Sequence, residues 1–258
     1  ARKYVTVSLS GDGGDELLGG YTSWYKPLFF MLKSRNNFWP KLLLLQTMSA
    51  GFALARQSFP TNWRLQLEGL HYRWRYPTLG VAHKHQLSRF TDRELDNLGL
   101  PKIAHQSSEK IDNLDKLFQE DARNYMAGDI LVKTDRASMA NGLELRAPFL
   151  NVNLAEFCLS LPYNLKINEQ SDKIILREAL KDVLPEIIRT RGKRGFGAGI
   201  VSWLARPDVM DLKEKFLNDP KQKVYSILPY DQVQFLTCRS HFHRWIFLNL
   251  SIWMSKNL

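Results

Sequence analysis

Residues 8–21 read Ser-Leu-Ser-Gly-Asp-Gly-Gly-Asp-Glu-Leu-Leu-Gly-Gly-Tyr and hold five of the fifteen glycines in the chain. Before this segment, apolar residues alternate at Val5, Val7 and Leu9, which predicts a strand. Leu17-Leu18 after it indicates the opening of a helix. A strand, a glycine-rich turn and a helix in this order are typical of an open α/β sheet. In such sheets ligands bind beyond the carboxyl ends of the strands.

The turn carries three acidic residues, Asp12, Asp15 and Glu16. Because like charges about 4 Å apart repel by roughly 4 kcal/mol near a protein surface, a bare phosphate would be excluded here. Mg²⁺ bridges carboxylates and substrate phosphates, so the turn indicates a magnesium-dependent nucleotide site. Glu16 stands where a dinucleotide fingerprint needs a third glycine, and no Gly-Lys-Ser/Thr makes a P-loop. The open alternative is a structural turn with acidic residues at a helix N-terminus.

A second candidate segment begins after Gly128, where we predict that the helix starting near Leu114 ends. In a new helix, Asp129, Lys133 and Arg136 would share one face. They form either a capping aspartate with an exposed ion pair, or an acid and two bases that line a cleft.

Glu144 and Arg146 follow in an otherwise apolar stretch before Pro148. The sequence leaves two roles open for them: a buried pair that holds the loop, or contacts to a substrate.

The third candidate segment carries four basic residues within positions 189–194, interleaved with glycines. It follows a helix predicted from Ser171 and ended by Pro185. Glycine lets a backbone follow a phosphate, and Lys193 would supply charge to it. A solvated basic surface is the plainer interpretation.

Residues 8–21, 129–150 and 191–197 resemble, in family order, motifs of the synthetase domain of glutamine-dependent asparagine synthetases. The first resembles the family element S-G-[DE]-G-x-D-E-x-x-G-G-Y. The resemblance implies membership of the N-type ATP pyrophosphatases and a Rossmann-type α/β fold like that of the adenine nucleotide α-hydrolases.

The resemblance also implies ATP-dependent, AMP-forming conversion of aspartate to asparagine through a β-aspartyl-adenylate, with ammonia derived from glutamine. ATP and Mg²⁺ would be the cofactors, with Asp15 as the metal ligand. Asp12 and Asp129 would handle protons, and Lys193 would stabilise pyrophosphate. The remaining implied contacts to substrate or nucleotide are Ser10, Gly11, Gly13, Gly14, Glu16, Glu144, Arg146 and Gly195.

The chain departs from the family pattern in three ways. It contains no S-G-G-x-D-S pyrophosphate loop, no N-terminal cysteine for glutamine hydrolysis, and Asn151 where the family has aspartate. We therefore expect residues 1–258 to be the C-terminal portion of a synthetase domain, without a glutaminase domain, that requires an upstream part of the same enzyme. The open alternatives are an incomplete fragment acting as an interaction module and a relative that amidates another carboxylate. A homodimer is also left open.

The net charge of +10 and a pI near 9.6 raise the question of a nucleic-acid partner. A basic and aromatic strip between residues 72 and 89 suits single strands. Because the other basic residues are scattered and ATP also requires positive charge, a nucleic-acid partner is not expected. Cys238, His241 and His243 lack a fourth zinc ligand. Two cysteines and the lack of a long apolar run favour a cytoplasmic protein without membrane spans.

These patterns predict a mainly helical chain with a strand at residues 4–9. This strand should join a parallel sheet whose other strands come mostly from the upstream part, and this chain should add only one or two further short strands. Apolar and aromatic helices are expected in residues 22–66 and 231–258, and Thr91 with Glu94 predicts a capping-box start.

Overall fold

A computed structural model describes residues 1–34, 60–101, 110–192 and 199–258. The chain forms two compact units, one of residues 1–84 and 105–193 and the other of residues 85–104 and 194–258. The regular elements, in chain order, are β1 (Val7–Leu9), α1 (Gly14–Leu18), α2 (Thr22–Lys33), α3 (Thr61–Arg75), α4 (Leu79–Leu87), α5 (Asp92–Asn97), α6 (Leu114–Asp121), α7 (Leu131–Met139), β2 (Glu144–Arg146), α8 (Val152–Ser160), α9 (Ile174–Ala179), α10 (Glu186–Arg189), α11 (Ile200–Leu204), α12 (Pro207–Lys213), α13 (Tyr230–Arg239) and α14 (His241–Asn257).

The sheet consists of β1 and β2, which run parallel with Val7 opposite Glu144 and Leu9 opposite Arg146. The predictions of a mainly helical chain and of a parallel sheet with few strands are therefore confirmed. The strand predicted at residues 4–9 is present but is confined to Val7–Leu9. Leu9 is 71% exposed, and β1 has a single neighbouring strand in the described part of the chain. Of the three apolar residues that the sequence places on one face of the predicted strand, Val5 and Leu9 are exposed.

The core of the first unit surrounds α2 and α6, both of which contribute fully buried side chains. Tyr25 donates a hydrogen bond of 2.6 Å to Asp121, and Asp121 also lies 2.7 Å from the ring nitrogen Nε2 of His83. All three residues are buried. Burial and the neighbouring carboxylate raise the pKa of Tyr25 well above its usual value, so its hydroxyl stays protonated. The apolar members of this core are Leu28, Met31, Tyr72, Leu79, Ala82, Ile111, Leu114, Leu117, Phe118 and Ile167.

The helix does not end at Gly128. Leu114 to Met139 is continuously helical, and the π-helical segment Ala122–Ile130 joins α6 to α7. Glycine in a helix costs about 1 kcal/mol relative to alanine, which the burial of Ala122 and Ile130 on either side outweighs. The predicted break was therefore wrong.

The second unit is built from short helices around α14. Its core contains Leu236, Phe247 and Leu248, and the predicted aromatic and helical tail is confirmed. The capping box of Thr91 and Glu94 is present at α5. Of the helices expected in residues 22–66, the structure shows α2 and the start of α3, and residues 35–59 lie outside the described ranges.

No helix among the described residues is long and apolar enough to cross a membrane. The same residues contain no cluster of three histidine, cysteine or acidic side chains that would suit a metal ion. His243 instead makes a 2.7 Å hydrogen bond with the backbone carbonyl of Arg89.

Candidate functional site

The acidic turn is fixed where it leaves the sheet. The Ser10 amide donates a 2.9 Å hydrogen bond to the Arg146 carbonyl, which extends the β1–β2 ladder by one residue. The Ser10 hydroxyl donates to the carboxylate of Asp12 at 3.0 Å. The amide of Gly14 then donates to the Gly11 carbonyl at 3.2 Å, which closes the turn in front of α1. Ser10 and Asp12 are thus brought to the carboxyl end of a parallel strand, as predicted.

Two glycines in the turn allow the second motif to pack directly against the first. Gly13 caps α1 with a φ of 88°, a conformation that favours glycine. A Cβ atom there would lie 2.5 Å from Leu150, and one at Gly14 would lie 3.2 Å from the ring of Phe149. No atom lies within 4 Å of such a position at Gly11. The backbone at Gly11 is therefore open on this side, while Gly13 and Gly14 hold the two motifs together.

Asp15, the predicted metal ligand, forms an ion pair with Lys173. The Lys173 ammonium lies 2.5 Å from Asp15 Oδ1, and both side chains are largely buried. Among the described residues, Lys173 is the one residue other than glycine that has a positive φ, of 48°. Left-handed backbone at a residue other than glycine costs of order 1 kcal/mol or more, so surrounding contacts hold it there. Sequence analysis missed this partner, which approaches the turn from the start of α9.

Gly20 packs so closely against this ion pair that a larger residue should destabilise the protein. A Cβ atom at Gly20 would overlap both Asp15 Oδ1 and Lys173 Cε, so the pair must move apart in a Gly20→Ala variant. Overpacking of this kind costs about 1–3 kcal/mol. We expect a lower free energy of unfolding in urea. Gly11→Ala in the same turn is the matched control, since its Cβ would contact nothing. Equal stabilities of the two variants would contradict the geometry of the pair.

Glu16 points into the protein. Its side chain is buried and accepts a 2.6 Å hydrogen bond from the Tyr21 hydroxyl. Burial, and next the Glu16 carboxylate, raise the pKa of Tyr21 far above its usual value, so Tyr21 remains a donor. Direct nucleotide contact by Glu16 remains a prediction, and the structure gives this residue a role in orienting Tyr21.

An aromatic cluster joins the acidic turn to the π-helical segment that carries Asp129. Tyr125 packs edge-on against Tyr21 and Trp24, with ring centroids 5.9 Å and 5.2 Å apart. Asp129 is exposed in the π-helical segment, and its charge is the second cause, after burial, of the raised pKa of Tyr125. Asp129 is thus within electrostatic range of a ring that contacts the acidic turn. Sequence analysis did not single out Tyr21 or Tyr125.

Glu144 and Arg146 pair with each other on one side of β2, at a distance of 2.8 Å. Both side chains are more than half exposed, so of the two roles left open by the sequence, that of a buried pair does not hold. Because residues two apart in a strand point to the same face, the pair forms without help from the core. Asn151 caps α8 by accepting a 3.4 Å hydrogen bond from the Leu154 amide. Lys193 and Gly195 lie outside the described residues.

A parallel strand leads into an acidic, glycine-rich turn and a helix, and a charged segment of the neighbouring strand lies beside it. This arrangement is typical of ligand sites in α/β proteins. The chain matches the asparagine synthase family over residues 1–255. It belongs to that family.

Curated relatives agree with this assignment. An asparagine synthetase (glutamine-hydrolyzing) of Bacillus subtilis is 32% identical over 79% of this chain and 32% of its own length. A putative asparagine synthetase (glutamine-hydrolyzing) of Mycobacterium bovis is 30% identical over 82% of this chain and 32% of its own. The asparagine synthetase of Gallus gallus is 40% identical over a shorter stretch, 28% of this chain and 13% of its own. The chain spans about a third of the length of the first two. No solved structure matches significantly.

Proposed function

We propose that this chain forms part of an ATP-dependent, AMP-forming asparagine synthetase with an adenine nucleotide α-hydrolase-like, Rossmann-type fold. The observation that carries the proposal is the contact of two family motifs: the 144–150 segment packs on Gly13 and Gly14 through Phe149 and Leu150. Aspartate, ATP and ammonia from glutamine are the proposed substrates.

In the proposed reaction, the side-chain carboxylate of aspartate attacks the α-phosphate of ATP, giving a β-aspartyl-adenylate and pyrophosphate. Ammonia then attacks the acyl carbon and AMP leaves. The nitrogen loses one proton as the amide forms, and Asp12 and Asp129 are the two candidates for accepting it. Ser10 holds Asp12 through its hydroxyl, so one carboxylate oxygen is already oriented. The exposed pair of Glu144 and Arg146 is available to contact the substrate.

Asp15 is the proposed ligand of Mg²⁺, since Mg²⁺ prefers carboxylate oxygens. Lys173 pairs with Oδ1 of this carboxylate at 2.5 Å, so a bound Mg²⁺ would have to take the other oxygen or displace the ammonium. Magnesium is usually held by one or two protein carboxylates plus substrate phosphates, so a larger protein cluster is not required. Bound there, Mg²⁺ would neutralise charge on the phosphates of ATP. The open backbone at Gly11, with the amide of Gly13, is the proposed contact surface for the nucleotide, while the Gly14 amide is used within the turn.

A further part of the same synthetase is the proposed partner of β1. Within the described residues β1 pairs on one side, and Leu9 and Val5 are exposed. Exposed strand edges recruit further strands. The length of the curated relatives supports this proposal, since this chain spans about a third of it. The same edge favours the alternative of an interaction module.

The test is product analysis with the full-length gene product. Incubation with Mg·ATP, aspartate and ammonium should yield asparagine, AMP and pyrophosphate in equal amounts, with no ADP. Omission of aspartate is the control and should abolish AMP formation. AMP formed only with a different carboxylate would assign the chain to a relative with another substrate. Absence of AMP with every carboxylate tried, from a folded protein, would favour the interaction module.

A further inference from the structure

Arg177 joins three parts of the first unit through its guanidinium group. Nε donates to the Asp172 carbonyl at 2.8 Å, and Nη2 donates to the Asp172 carboxylate at 2.5 Å. Nη1 donates to the Arg189 carbonyl, and Nη2 also reaches the Arg191 carbonyl at 3.5 Å. One side chain of α9 therefore holds the backbone at the end of α10 and beyond it.

Asp172 extends the same network toward the acidic turn. Its side chain is buried, and its second carboxylate oxygen accepts a hydrogen bond from the Thr22 hydroxyl. Thr22 begins α2, directly after Gly20 and Tyr21 of the acidic turn. Both oxygens of the buried carboxylate thus have donors, and a charged, fully hydrogen-bonded group of this kind has one well-defined geometry.

The adjacent residue links the network to the proposed metal ligand. Lys173 follows Asp172 and pairs with Asp15, so the segment from Asp172 to Arg177 contacts the acidic turn at Asp15 and the start of α2 at Thr22. The same segment holds the backbone of Arg189 and Arg191, two residues before Lys193. The two oppositely charged motifs are therefore connected through one short stretch of chain.

We infer that Arg177, held by Asp172, is a positioning residue that fixes the backbone entering the basic motif relative to the acidic turn. The inference rests on the proposed function, in which Lys193 stabilises the pyrophosphate that leaves. A fixed charge stabilises a transition state best when it needs no reorganisation during the reaction. The hydrogen bonds at Arg189 and Arg191 would provide that fixed starting point for the lysine.

The test compares Arg177→Ala and Arg177→Lys with Lys181→Ala, in the full-length gene product. Lys181 is the matched control, since it is an exposed residue that pairs only locally with Glu178. We expect Arg177→Ala to lower the kcat of aspartate-dependent pyrophosphate release by about 100-fold, with a KM for aspartate within about threefold of the original value. Added guanidinium ions should restore part of the rate. The Arg177→Lys variant should be nearly as slow as Arg177→Ala, because a single ammonium cannot reproduce the forked set of hydrogen bonds.

Limited trypsin digestion provides a readout that does not depend on catalysis. Release of the backbone should speed cleavage after Arg189 and Arg191 by about tenfold in Arg177→Ala, while Lys181→Ala behaves like the unaltered protein. If the unaltered protein makes no pyrophosphate, the proposed function fails, and the digestion still decides whether Arg177 fixes this backbone. Unchanged cleavage and unchanged kcat in Arg177→Ala would overturn the inference. A rate loss that guanidinium does not relieve, with a matching loss of thermal stability, would reduce Arg177 to a structural role.

Discussion

An Asp15→Asn variant is expected to release pyrophosphate about 100 to 1,000 times more slowly than the unaltered enzyme. Asparagine has almost the same shape as aspartate, so the turn can keep its backbone, but the negative charge beside Lys173 is lost. Without the carboxylate, the proposed magnesium site loses its protein ligand. The Mg²⁺ that would neutralise the phosphates at the acidic turn is then no longer held there. The measurement is aspartate-dependent pyrophosphate release at saturating ATP, with Mg²⁺ varied.

Two further variants sharpen this prediction. Lys193→Met, in the basic motif, should cause a loss of the same order, since it would remove the charge proposed to stabilise pyrophosphate. Asp182→Asn is the control, because Asp182 is exposed and has no proposed role. Rates within about twofold of the unaltered enzyme for both Asp15→Asn and Lys193→Met would refute the assignment of the two motifs.

The second large effect is on stability. Asp121→Ala removes the buried carboxylate that accepts the hydrogen bond of Tyr25 and contacts His83. The Tyr25 hydroxyl is then left in the core without this acceptor, and a new small cavity forms. Together these changes should lower the free energy of unfolding by about 2–4 kcal/mol, measured by urea denaturation.

Asp121→Asn is the matched comparison, since an amide oxygen can still accept from Tyr25 and an amide nitrogen can donate to His83. It should lose no more than about half as much stability as Asp121→Ala. If Asp121→Ala lowers the free energy of unfolding by less than about 1 kcal/mol, the hydrogen-bond network contributes little. The apolar contacts would then supply most of the stability of this core.

Local pattern was enough to predict the strand and its surroundings. Alternating apolar residues indicated β1, and the glycines after it indicated a tight turn into a helix. The same reasoning failed at Gly128, because the propensity of one glycine is a small cost against the burial of Ala122 and Ile130 on either side. Secondary structure in this region is decided by packing, which a local pattern does not contain.

The site was predicted less completely than the fold. Asp12 and Asp15 are candidates because of their motif, but the pairing of Asp15 with Lys173 depends on a contact between distant parts of the chain. Nothing in the residues around Lys173 indicates its left-handed backbone. The burial of Glu16 was also not predicted, since nothing in its sequence neighbourhood distinguishes it from an exposed acidic residue. In the structure it is buried and accepts a hydrogen bond from Tyr21.

The pairing of β1 with β2 has a consequence for how the protein is made. The partner of Leu9 is Arg146, so the ribosome must add roughly 140 residues before the ladder can close, which takes about 7–30 s at usual rates of synthesis. During that time the first motif is translated but lacks the strand and the side chains that fix it. We therefore expect chaperones to bind the apolar strand while it is unpaired. The candidate site assembles only late in synthesis.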